Sequence, residues 1–585
     1  MEMTNNTNKP SVLKPWLKHY PAQLIENLHV PECTLGQYME ANMPGLDVPA
    51  INFYENMITW NTFFQNAQNT AKALKAAGFK SGDQVPAFVK STPEFFALLF
   101  GCELIGASLL IRDNEWHENA DTLRKAGVDT MFTNDCISQE EAEYYLAHTG
   151  IKKIITIPLT ASCDRKNMPD YVQHTLDSFY DHECAHGDAI ITWSDFLAQG
   201  EHYDGEVNAP VDCNRPLFRC YTSGSTGPSK QVIHSAHTII GALTQMNFYG
   251  SQDSFRPTWL VTVLPPCLVS VVISFLLLPL SSNKLMILDP FCAPEDVDLE
   301  VMRCKPNCWP SIPMFCDILS NSKRVPADYD LSHLFSCGAG CEHMNNNQIR
   351  RFQKFLKDHH SVCRFTTGYG SSEAGSNVGF HMTDAPMGNG NVGCPMPLTN
   401  VAICKPGTCE ELGFNQTGEI CVHSPNVMLG YDNAEATAKA LRRHEDGNIW
   451  LHTGDVGYMT EDGIMFTQSR GSSKRKSGGF LDILPMENAV ADAHIDGIVD
   501  EFFVNVPDTE YSGYYNPYLF VVLEDGYAVN DISDKVLNAL SEQHAPVDIR
   551  ALPQRPYWHF KTHRISKIRE ILGESDTAAY PSNMA

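Results

Sequence analysis

Residues 220–230 read Cys-Tyr-Thr-Ser-Gly-Ser-Thr-Gly-Pro-Ser-Lys, a loop rich in hydroxyls and hinged by two glycines. Its five Ser and Thr side chains can donate hydrogen bonds, and Lys230 adds a positive charge. Gly224 and Gly227 allow the backbone to turn sharply and to approach a ligand closely. A short strand at 217–221 precedes the loop, and a helix at about 237–246 follows it. This combination is typical of a loop that holds a polyphosphate.

The phosphate loop of nucleoside triphosphatases is a different pattern, in which the second glycine is followed directly by Lys and then Ser or Thr. Here Gly224 and Gly227 are too close together, and Lys230 does not follow a glycine. On these residues alone, an ordinary Ser/Gly surface turn remains the alternative. The choice between the two depends on sequence clusters farther along the chain.

Length and composition indicate a folded protein of more than one domain. The chain has 585 residues, which is too many for one hydrophobic core. Its 43% hydrophobic and 19% charged residues are typical of a soluble protein. The formal net charge of −26 argues against nucleic acid or an anionic membrane as the main partner. The first ten residues are polar and contain no apolar segment, so we expect no secretory signal and a cytoplasmic location.

The 19 cysteines are scattered along the chain, and no spacing of Cys and His completes a zinc motif. We therefore expect buried, reduced thiols and no metal site built from them.

The uncharged run at 259–282 is long enough for a membrane span. Prolines 265, 266 and 279 interrupt it, so we predict a buried strand at 259–264, a buried helix at 268–278 and no membrane span.

Strand and helix patterns alternate through the first part of the chain, which predicts the α/β class with a parallel sheet. By contrast, residues 1–20 and 185–212 are expected to be loosely structured or irregular. The predicted elements are a strand pair at 51–60, helices at 62–77 and 93–104, and strands at 85–89, 128–133, 151–157, 284–288, 307–310 and 333–337.

A second cluster, Phe-Thr-Thr-Gly-Tyr-Gly-Ser-Ser-Glu, occupies residues 365–373. Tyr369 can stack on a purine, Ser371 or Ser372 can donate to a phosphate, and Glu373 can hold Mg²⁺. The cluster follows a predicted strand, which would present these side chains at the edge of a sheet.

A third cluster at 450–458 places Asp455 on what we predict to be a tight turn, where its carboxylate can accept both hydroxyls of a ribose. A fourth contains Arg470 and the basic run Lys474, Arg475 and Lys476. Taken singly, each cluster fits an ordinary turn better than a binding site, and residues 474–476 alone fit a solvated basic surface.

Together, and in this order, the clusters resemble those of the adenylate-forming superfamily, which contains AMP-forming acyl-CoA synthetases, luciferases and the adenylation domains of peptide synthetases. The resemblance covers most of the chain and is closest to the acyl-CoA synthetases. Residues 221–230 match the phosphate loop of that family almost residue for residue. Residues 368–373 match its aromatic-Gly-x-Thr-Glu motif, with Ser372 in place of threonine.

The resemblance continues to the C-terminal part of the chain. Residues 418–419 and 427–431 match an intervening family segment, and residues 452–458 match the Thr-Gly-Asp motif, with Arg470 after it. Residues 564–569 resemble the segment that carries the family's catalytic lysine, which is Lys567 here. The resemblance implies a large N-terminal α/β core at 1–468 and a small α+β lid at 469–585.

The chemistry that the resemblance implies has two steps. A carboxylate attacks the α-phosphorus of ATP to give acyl-AMP and pyrophosphate, and a thiol then attacks the acyl-AMP to give a thioester. The implied ATP and Mg²⁺ site has Tyr369 and the segment Gly338, Ala339, Gly340 around adenine, and Asp455 and Arg470 on ribose. Its β- and γ-phosphates would contact Thr222, Ser223, Gly224, Ser225, Thr226, Gly227 and Lys230, and its remaining contacts are Gly370, Ser371 and Ser372. The implied catalytic residues are Thr222, Glu373 as the metal ligand, and Lys567.

The departures from the family pattern concern the hinge and the acyl pocket. Ser566 replaces a glycine before the catalytic lysine, and Ser473 replaces an aspartate at the interdomain hinge. Cys267 follows two prolines where relatives often carry an aromatic residue or histidine, and it would border the acyl group together with Gly338 and Gly370. No acidic residue lies between positions 254 and 289 to pair with an ammonium, which favours a fatty or aryl acid over an α-amino acid.

Only 18 residues follow Lys567, so we expect the thiol to come from a separate molecule, with coenzyme A preferred over a carrier protein. Two other functions stay open at this point. One is an ATP-binding relative that has lost turnover, and the other is an unrelated phosphotransferase that would release ADP. Within the enzyme class, an adenylate made for oxidation or for amide or β-lactone formation is a further alternative.

Overall fold

The computed structural model describes residues 8–112, 116–222, 229–247, 255–383, 386–470, 473–478, 481–557, 562 and 565–573. Within these ranges the strands are β1 (Pro49–Phe53), β2 (Asn56–Thr59), β3 (Gln84–Phe88), β4 (Ser108–Ile111), β5 (Thr130–Asn134), β6 (Lys153–Ile157), β7 (Ile190–Thr192), β8 (Pro216–Tyr221), β9 (Gln231–Ser235), β10 (Thr258–Thr262), β11 (Leu285–Asp289), β12 (Cys308–Ser311), β13 (Ser336–Ala339), β14 (Arg364–Ser371), β15 (Ser376–Phe380), β16 (Asn391–Pro395), β17 (Asn400–Cys404), β18 (Gly418–His423), β19 (Gly430–Tyr431), β20 (Leu441–Arg443), β21 (Ile449–Met459), β22 (Met465–Arg470), β23 (Ile498–Pro507), β24 (Tyr515–Leu523) and β25 (Asp548–Leu552).

The α-helices in the same ranges are α1 (Pro10–Leu13), α2 (Ala22–Asn27), α3 (Leu35–Asn42), α4 (Trp60–Ala76), α5 (Pro93–Ile105), α6 (Trp116–Ala126), α7 (Gln139–His148), α8 (Asp170–Ser178), α9 (Trp193–Glu201), α10 (Ala236–Asn247), α11 (Leu278–Ser281), α12 (Val297–Cys304), α13 (Pro313–Asn321), α14 (Asn346–Asp358), α15 (Ala434–Ala440), α16 (Ile483–Asp492), α17 (Val529–Ala539) and α18 (Ile565–Leu572). Short 3₁₀ helices lie at Pro15–His19, Arg165–Asn167, Pro294–Asp296 and Glu542–His544, and a π-helix spans Val271–Leu277.

Three sheets organise these elements, and they confirm the predicted α/β class with a small additional C-terminal unit. One large sheet has the order β19-β9-β8-β4-β3-β5-β6-β7, and its strands from β8 to β7 run parallel. The other large sheet has the order β17-β18-β21-β22-β16-β15-β14-β13-β12-β10-β11-β1-β2, with β20 beside β21. In that sheet, the neighbours from β14 to β1 are parallel and the remainder are antiparallel. The third sheet has three strands, in the order β23-β24-β25.

The helix expected at 93–104 is α5, and local sequence explains both of its ends. Pro93 stands at its first turn, where the missing N–H removes no helical hydrogen bond. Gly106 ends it in the left-handed conformation at φ +75°, which a glycine adopts without steric cost. The helix is buried on almost every side because it lies between the sheet of β3, β4 and β8 and helix α4.

The uncharged run at 259–282 forms the strand β10 followed by a buried helix, as expected, but the helix is of the π type between Val271 and Leu277. Pro279 lies in the next helical turn, α11, and cannot donate a backbone hydrogen bond to Phe275. The indole Nε1 of Trp259 donates to that carbonyl oxygen instead, at 3.1 Å. The chain therefore stays helical across the proline. Among the described residues, no helix has the length and apolarity needed to cross a bilayer.

Two of the expectations about irregular segments are wrong. The N-terminal segment contains α1 and the 3₁₀ helix Pro15–His19, and the Trp16 side chain is completely buried. A side chain at Gly463 would meet the Trp16 backbone at 2.4 Å, so this long-range contact fixes the segment. Residues 185–212 contain β7 and α9, whose Trp193 and Phe196 pack against Phe132 of the parallel sheet.

The C-terminal unit consists of the three-stranded sheet with α16, α17 and α18 around it. Its strand β23 lies near the start of α14, where Asn345 Nδ2 donates to the Glu501 carbonyl oxygen at 2.9 Å. The backbone N–H of Asn346 donates to Asn488 of α16 at 2.8 Å. Polar contacts at the start of α14 therefore attach this unit to the part of the chain that contains the sheet of β13 and β14.

Candidate active site

The loop at 220–230 closes on itself where it joins the sheet. The Thr222 backbone N–H donates to the Lys230 carbonyl at 2.9 Å, and the Lys230 N–H donates to Thr222 Oγ1 at 3.0 Å. The Ser229 hydroxyl donates to the Thr222 carbonyl at 2.7 Å. These bonds extend the antiparallel pair β8–β9 by one step and hold the base of the loop. The predicted phosphate contacts Ser223, Gly224, Ser225, Thr226 and Gly227 lie outside the described residues.

The second cluster forms the tight hairpin between β14 and β15, with Glu373 in its connecting loop. A Cβ atom at Gly370 would lie 1.5 Å from the Ser376 carbonyl oxygen, so only glycine fits there. The Ala374 N–H donates to Ser371 Oγ at 3.2 Å and stabilises the turn. Glu373 Oε1 accepts a hydrogen bond from the Tyr431 hydroxyl at 2.7 Å. The carboxylate is therefore held in a defined orientation beside β19.

His234, a buried histidine that no sequence motif indicates, is hydrogen-bonded to the loop of this hairpin. His234 Nε2 donates to the Ser372 carbonyl at 2.8 Å, and its Nδ1 lies 3.1 Å from Thr238 Oγ1. Complete burial lowers the pKa of His234 to about 4, so the ring is neutral at physiological pH. No local sequence pattern distinguishes this residue, because its role depends on a contact 138 positions away.

Asp455 lies within the long strand β21 rather than on a tight turn, and that expectation is wrong. Between the partners Glu419 and Cys421 of β18, strand β21 contains two extra residues, which form a bulge beside Gly454 at φ +74°. The bulge directs the Asp455 carboxylate toward β14, where Oδ2 accepts from the Tyr369 hydroxyl at 2.7 Å. The second and third clusters thus meet directly.

Glu419 and Thr453 hold the bulge in place. Glu419 Oε1 accepts from the Gly454 N–H at 3.1 Å. The Thr453 hydroxyl donates to the Ile420 carbonyl at 2.7 Å, and Thr453 Oγ1 accepts from the Asp455 N–H at 3.1 Å. Glu419 and Thr453 lie in segments that match the family motifs. Their role in holding the bulge is visible only from the pairing of β18 with β21.

The segment Gly338, Ala339, Gly340 lies at the carboxyl end of β13, in line with the hairpin. A Cβ at Gly338 would approach Thr366 Oγ1 to 3.1 Å, whereas one at Gly340 would meet no atom of the described residues within 4 Å. The Gly340 N–H donates to the Ser311 carbonyl at 3.2 Å.

Arg470 and Lys567 are described only as members of β22 and α18. Arg470 is the register partner of Asp455 in the β21–β22 ladder. Lys567 lies in the first turn of α18, in the C-terminal unit. Their side chains lie outside the described part of the chain.

The predicted acyl side of the site lies beyond β10. Val263 adopts φ +55°, an unusual conformation for a β-branched residue, where the chain leaves the strand toward Cys267. Ser270 Oγ lies 3.3 Å from Cys341 Sγ and joins this segment to the loop after β13. Asp289, the first acidic residue after the run, is buried and accepts hydrogen bonds from Tyr54 and, at 2.8 Å, from Arg303 Nη2. It is therefore not available to pair with a substrate.

The segment 338–340 and the second cluster lie at or just beyond the carboxyl ends of the adjacent parallel strands β13 and β14. Tyr431 links Glu373 of this cluster to Lys230, beside β9 of the other large sheet. Ligands of open α/β sheets bind in crevices at this end of the strands. The sequence model of the family described as AMP-binding enzyme matches residues 39–432. The chain belongs to this family.

Relatives of this AMP-binding enzyme cover most of its length. It is 28% identical to the long-chain-fatty-acid–CoA ligase of Bacillus subtilis (strain 168), over 88% of this chain and 90% of that protein. It is 25% identical to 4-coumarate–CoA ligase 3 of Oryza sativa subsp. japonica, over 71% of this chain and 69% of that protein. Its fold matches that of ATP-bound MatB from Rhodopseudomonas palustris with a TM-score of 0.74 at 18% identity, over 92% and 99% of the two chains.

The predicted class of enzyme is confirmed. The chain is an AMP-forming acid–CoA ligase, which uses ATP to convert a carboxylic acid to acyl-AMP and transfers the acyl group to coenzyme A. The alternative of an unrelated phosphotransferase is set aside by the family match. The family assignment does not assign roles to individual residues, and those follow from the geometry.

Proposed function

We propose that this AMP-binding enzyme activates a fatty or aryl carboxylic acid, and that ATP lies along the edge where Tyr369 meets Asp455. The observation that supports this most directly is the 2.7 Å hydrogen bond between those two side chains, which come from separate clusters of the sequence. An aromatic ring beside a carboxylate suits a nucleoside, because the ring can stack on the base while the carboxylate accepts the ribose hydroxyls.

The other nucleotide contacts follow from this orientation. Adenine lies between Tyr369 and the segment Gly338–Gly340, while Asp455 and Arg470 hold ribose. The phosphates extend toward Thr222 and the loop to Lys230, with Ser371 and Ser372 as further donors. The Lys230 ammonium is 5.2 Å from the centre of the Tyr431 ring, and the hydroxyl of the same ring donates to Glu373. Lys230 and Glu373 therefore lie near the same tyrosine.

Glu373 is the proposed ligand of Mg²⁺. Its carboxylate is half-buried, and the Tyr431 hydroxyl holds one of its two oxygens, Oε1, at 2.7 Å. Carboxylate oxygens are the protein ligands that Mg²⁺ prefers, and Mg²⁺ at such a site is usually shared with substrate phosphates. When bound, the ion neutralises charge on the phosphates of ATP.

Lys567 is the proposed source of positive charge at the α-phosphate. It lies on α18 of the C-terminal unit, so it would reach the α-phosphate from a different domain than the one that binds the nucleotide. We place the boundary between core and lid at 468/469, within two residues of the end of β22 at Arg470. The departures at Ser473 and Ser566 fall on the lid side of this boundary.

The acyl group lies against the apolar wall formed by Cys267 and the buried π-helix Val271–Leu277, with Gly338 and Gly370 on the opposite side. Asp289, the first acidic residue after the uncharged run, is already paired with Arg303 at 2.8 Å. A substrate ammonium would therefore be buried without a partner, which is unfavourable. This supports a plain acid over an α-amino acid.

The test is pyrophosphate release with ATP and Mg²⁺ across fatty, aryl and α-amino acids of matched size. We expect release with fatty or aryl acids, at least tenfold faster than with the amino acids. Lys567→Ala slows this release about 10²- to 10³-fold, while Lys535→Ala, at an exposed lysine of the same unit, leaves it unchanged. Faster release with an α-amino acid would contradict the proposed acyl pocket, and full activity in Lys567→Ala would contradict the role of the lysine.

A further inference from the structure

Four side chains that contain thiols or imidazoles meet behind the Asp455 bulge, on strands of the same sheet. We call them the Cys–His cluster: Cys409, which follows β17, Cys421 in β18, His444 after β20, and His452 in β21. The cysteines are 23 to 43 positions from the histidines, so no linear spacing motif indicates the cluster. The strand pairs β18–β21 and β20–β21 bring them together.

The ring of His452 is the centre of the cluster. Its Nε2 lies 3.0 Å from His444 Nε2 and 3.9 Å from Cys409 Sγ. Its other nitrogen, Nδ1, lies 3.0 Å from Glu419 Oε2 and 3.4 Å from Cys421 Sγ. The His452 side chain is 2% exposed and that of Glu419 is 13% exposed, so the arrangement is screened from solvent.

The carboxylate fixes the tautomer of His452. Because Glu419 Oε2 accepts a hydrogen bond from Nδ1–H, the lone pair of the neutral ring lies on Nε2. That lone pair is directed at His444 and Cys409. Histidines that bind metals commonly have this arrangement, with the second ring nitrogen hydrogen-bonded to a carboxylate that orients the ring and increases its basicity.

We propose that Cys409, His444 and His452 bind one Zn²⁺ ion, with Glu419 as the positioning residue for His452. A tetrahedral Zn²⁺ with bonds of about 2.0–2.1 Å to nitrogen and 2.3 Å to sulfur needs N···N and N···S separations of about 3.3 and 3.6 Å. The observed separations of 3.0 and 3.9 Å differ from these values by about 0.3 Å, which small side-chain rotations remove. The ligand atoms of all three residues lie within 4.8 Å of one another.

The ligand set favours zinc over harder cations. Two imidazoles and a thiolate are soft or borderline donors, whereas Mg²⁺ and Ca²⁺ prefer oxygen. Binding breaks the S–H bond of Cys409, forms the Zn–S bond and releases one proton to solvent.

The proposed ion acts through Glu419 on the edge where Tyr369 meets Asp455, which we call the nucleotide edge. The same carboxylate that orients His452 through Oε2 accepts from the Gly454 N–H through Oε1, at 3.1 Å. Zinc at the Cys–His cluster would fix this carboxylate and with it the bulge that directs Asp455. The site is therefore separate from the Mg²⁺ ligand Glu373 but is joined to the ribose contact by two hydrogen bonds.

The experiment is a titration of the full-length, chelator-treated protein with Co²⁺, which reports thiolate ligation and tetrahedral geometry by absorption. We expect one Co²⁺ per chain, a sulfur-to-cobalt charge-transfer band, strong visible bands, and displacement of both by one equivalent of Zn²⁺. Cys409→Ser removes the charge-transfer band, and Cys409→Ser and His444→Gln each weaken binding at least tenfold. Glu419→Gln retains the band but weakens binding 10- to 100-fold, because the carboxylate that orients the His452 imidazole is lost.

The matched controls are Cys163→Ser and His174→Gln, a cysteine and a histidine outside the Cys–His cluster, which leave affinity and spectrum unchanged. The circular dichroism of each variant verifies that it is folded. Absence of stoichiometric Co²⁺ binding in the wild type would mean that His444 and His452 form only a hydrogen-bonded pair, and would overturn the proposal. A charge-transfer band that persists in Cys409→Ser would overturn the ligand set.

Discussion

The nucleotide edge and the interface between the C-terminal unit and the large sheet are both polar, but their charges are arranged differently. At the nucleotide edge, Asp455 and Glu373 each accept one neutral tyrosine hydroxyl at 2.7 Å and remain partly exposed. At the interface, Arg555 donates twice to Asp500 at 2.8 Å, with both side chains under 10% exposed. The interface thus neutralises its charges in a buried ion pair, whereas each of the two carboxylates beside β14 is oriented by a tyrosine hydroxyl.

A second buried pair extends the interface network. Arg351 of α14 contacts Asp317 at 2.5 Å and lies 3.8 Å from Asp500, and the Tyr557 hydroxyl donates to Asp317. Buried ion pairs add little net stability compared with apolar packing, but removing one partner is costly because a buried charge is left behind. We infer that this network holds the C-terminal unit in the observed position against α14.

The largest expected effect is that of Arg555→Met, which leaves Asp500 buried without its partner. We expect a loss of about 3–5 kcal/mol in the unfolding free energy of the C-terminal unit. Hydrogen exchange in β23 and urea unfolding followed by a probe in that unit measure it. Arg550→Met is the matched control, because Arg550 pairs with Asp548 at 2.7 Å but both side chains are more than one-third exposed, so its loss is at most about 1 kcal/mol. Equal effects of the two substitutions would remove the distinction between the interface and an ordinary surface.

The pH dependence of stability tests the same interface at Glu501. Burial, followed by the negative charge of Asp500, raises the pKa of Glu501 to about 8. Among the described residues its Oε1 has no hydrogen-bond partner, which suits a protonated carboxyl group. The folded state therefore holds a proton that the unfolded state releases above its ordinary pKa, so stability falls as pH rises from about 4.5 toward 8 and is constant above that.

Glu501→Gln removes this proton uptake. We expect the variant to gain on the order of 2 kcal/mol relative to the wild type between pH 6 and pH 8.5, with Glu510→Gln, an exposed residue, as the control. Unfolding free energies at several pH values provide the measurement. A difference that stays constant across this range would show that Glu501 is ionised in the folded protein.

The smallest expected effect is at the nucleotide edge, where Tyr431→Phe removes the hydrogen bond that orients Glu373. One such bond is worth about 1 kcal/mol, so kcat/KM for ATP falls roughly fivefold and more Mg²⁺ is needed for half-maximal activity. Tyr527→Phe, on an exposed loop, is the control. An unchanged Mg²⁺ requirement would argue that Glu373 is not the metal ligand.

The sequence predicted those parts of the fold that depend on local pattern. The alternation of strands and helices, the end of α5 at Gly106 and the strand before the hydroxyl-rich loop all follow from periodicity and glycine placement. It did not predict the docking of Trp16 against Gly463, because that contact spans most of the chain. Nor did it predict the π-helix, whose free carbonyl is satisfied by Trp259 from another element.

The candidate site was predicted in the same uneven way. Tyr369, Glu373 and Asp455 stand out because their clusters resemble known motifs, but the residues that position them do not. His234, Thr453 and the Asp455 bulge are defined by strand register, which cannot be read from one sequence. The Cys–His cluster is the extreme case, because residues without a linear motif are brought together only by the pairing of β18, β20 and β21.

We propose that the N-terminal core binds the nucleotide and that the C-terminal lid supplies positive charge for the reaction. The most direct test measures ATP affinity by calorimetry and single-turnover acyl-AMP formation for Asp455→Ala and Lys567→Ala. We predict that Asp455→Ala weakens ATP binding at least tenfold. Lys567→Ala leaves ATP affinity within about threefold but slows acyl-AMP formation 10²- to 10³-fold, a loss of about 3–4 kcal/mol in transition-state stabilisation. Weak ATP binding in Lys567→Ala with a normal rate at saturation, or unchanged ATP affinity in Asp455→Ala, would contradict this division between core and lid.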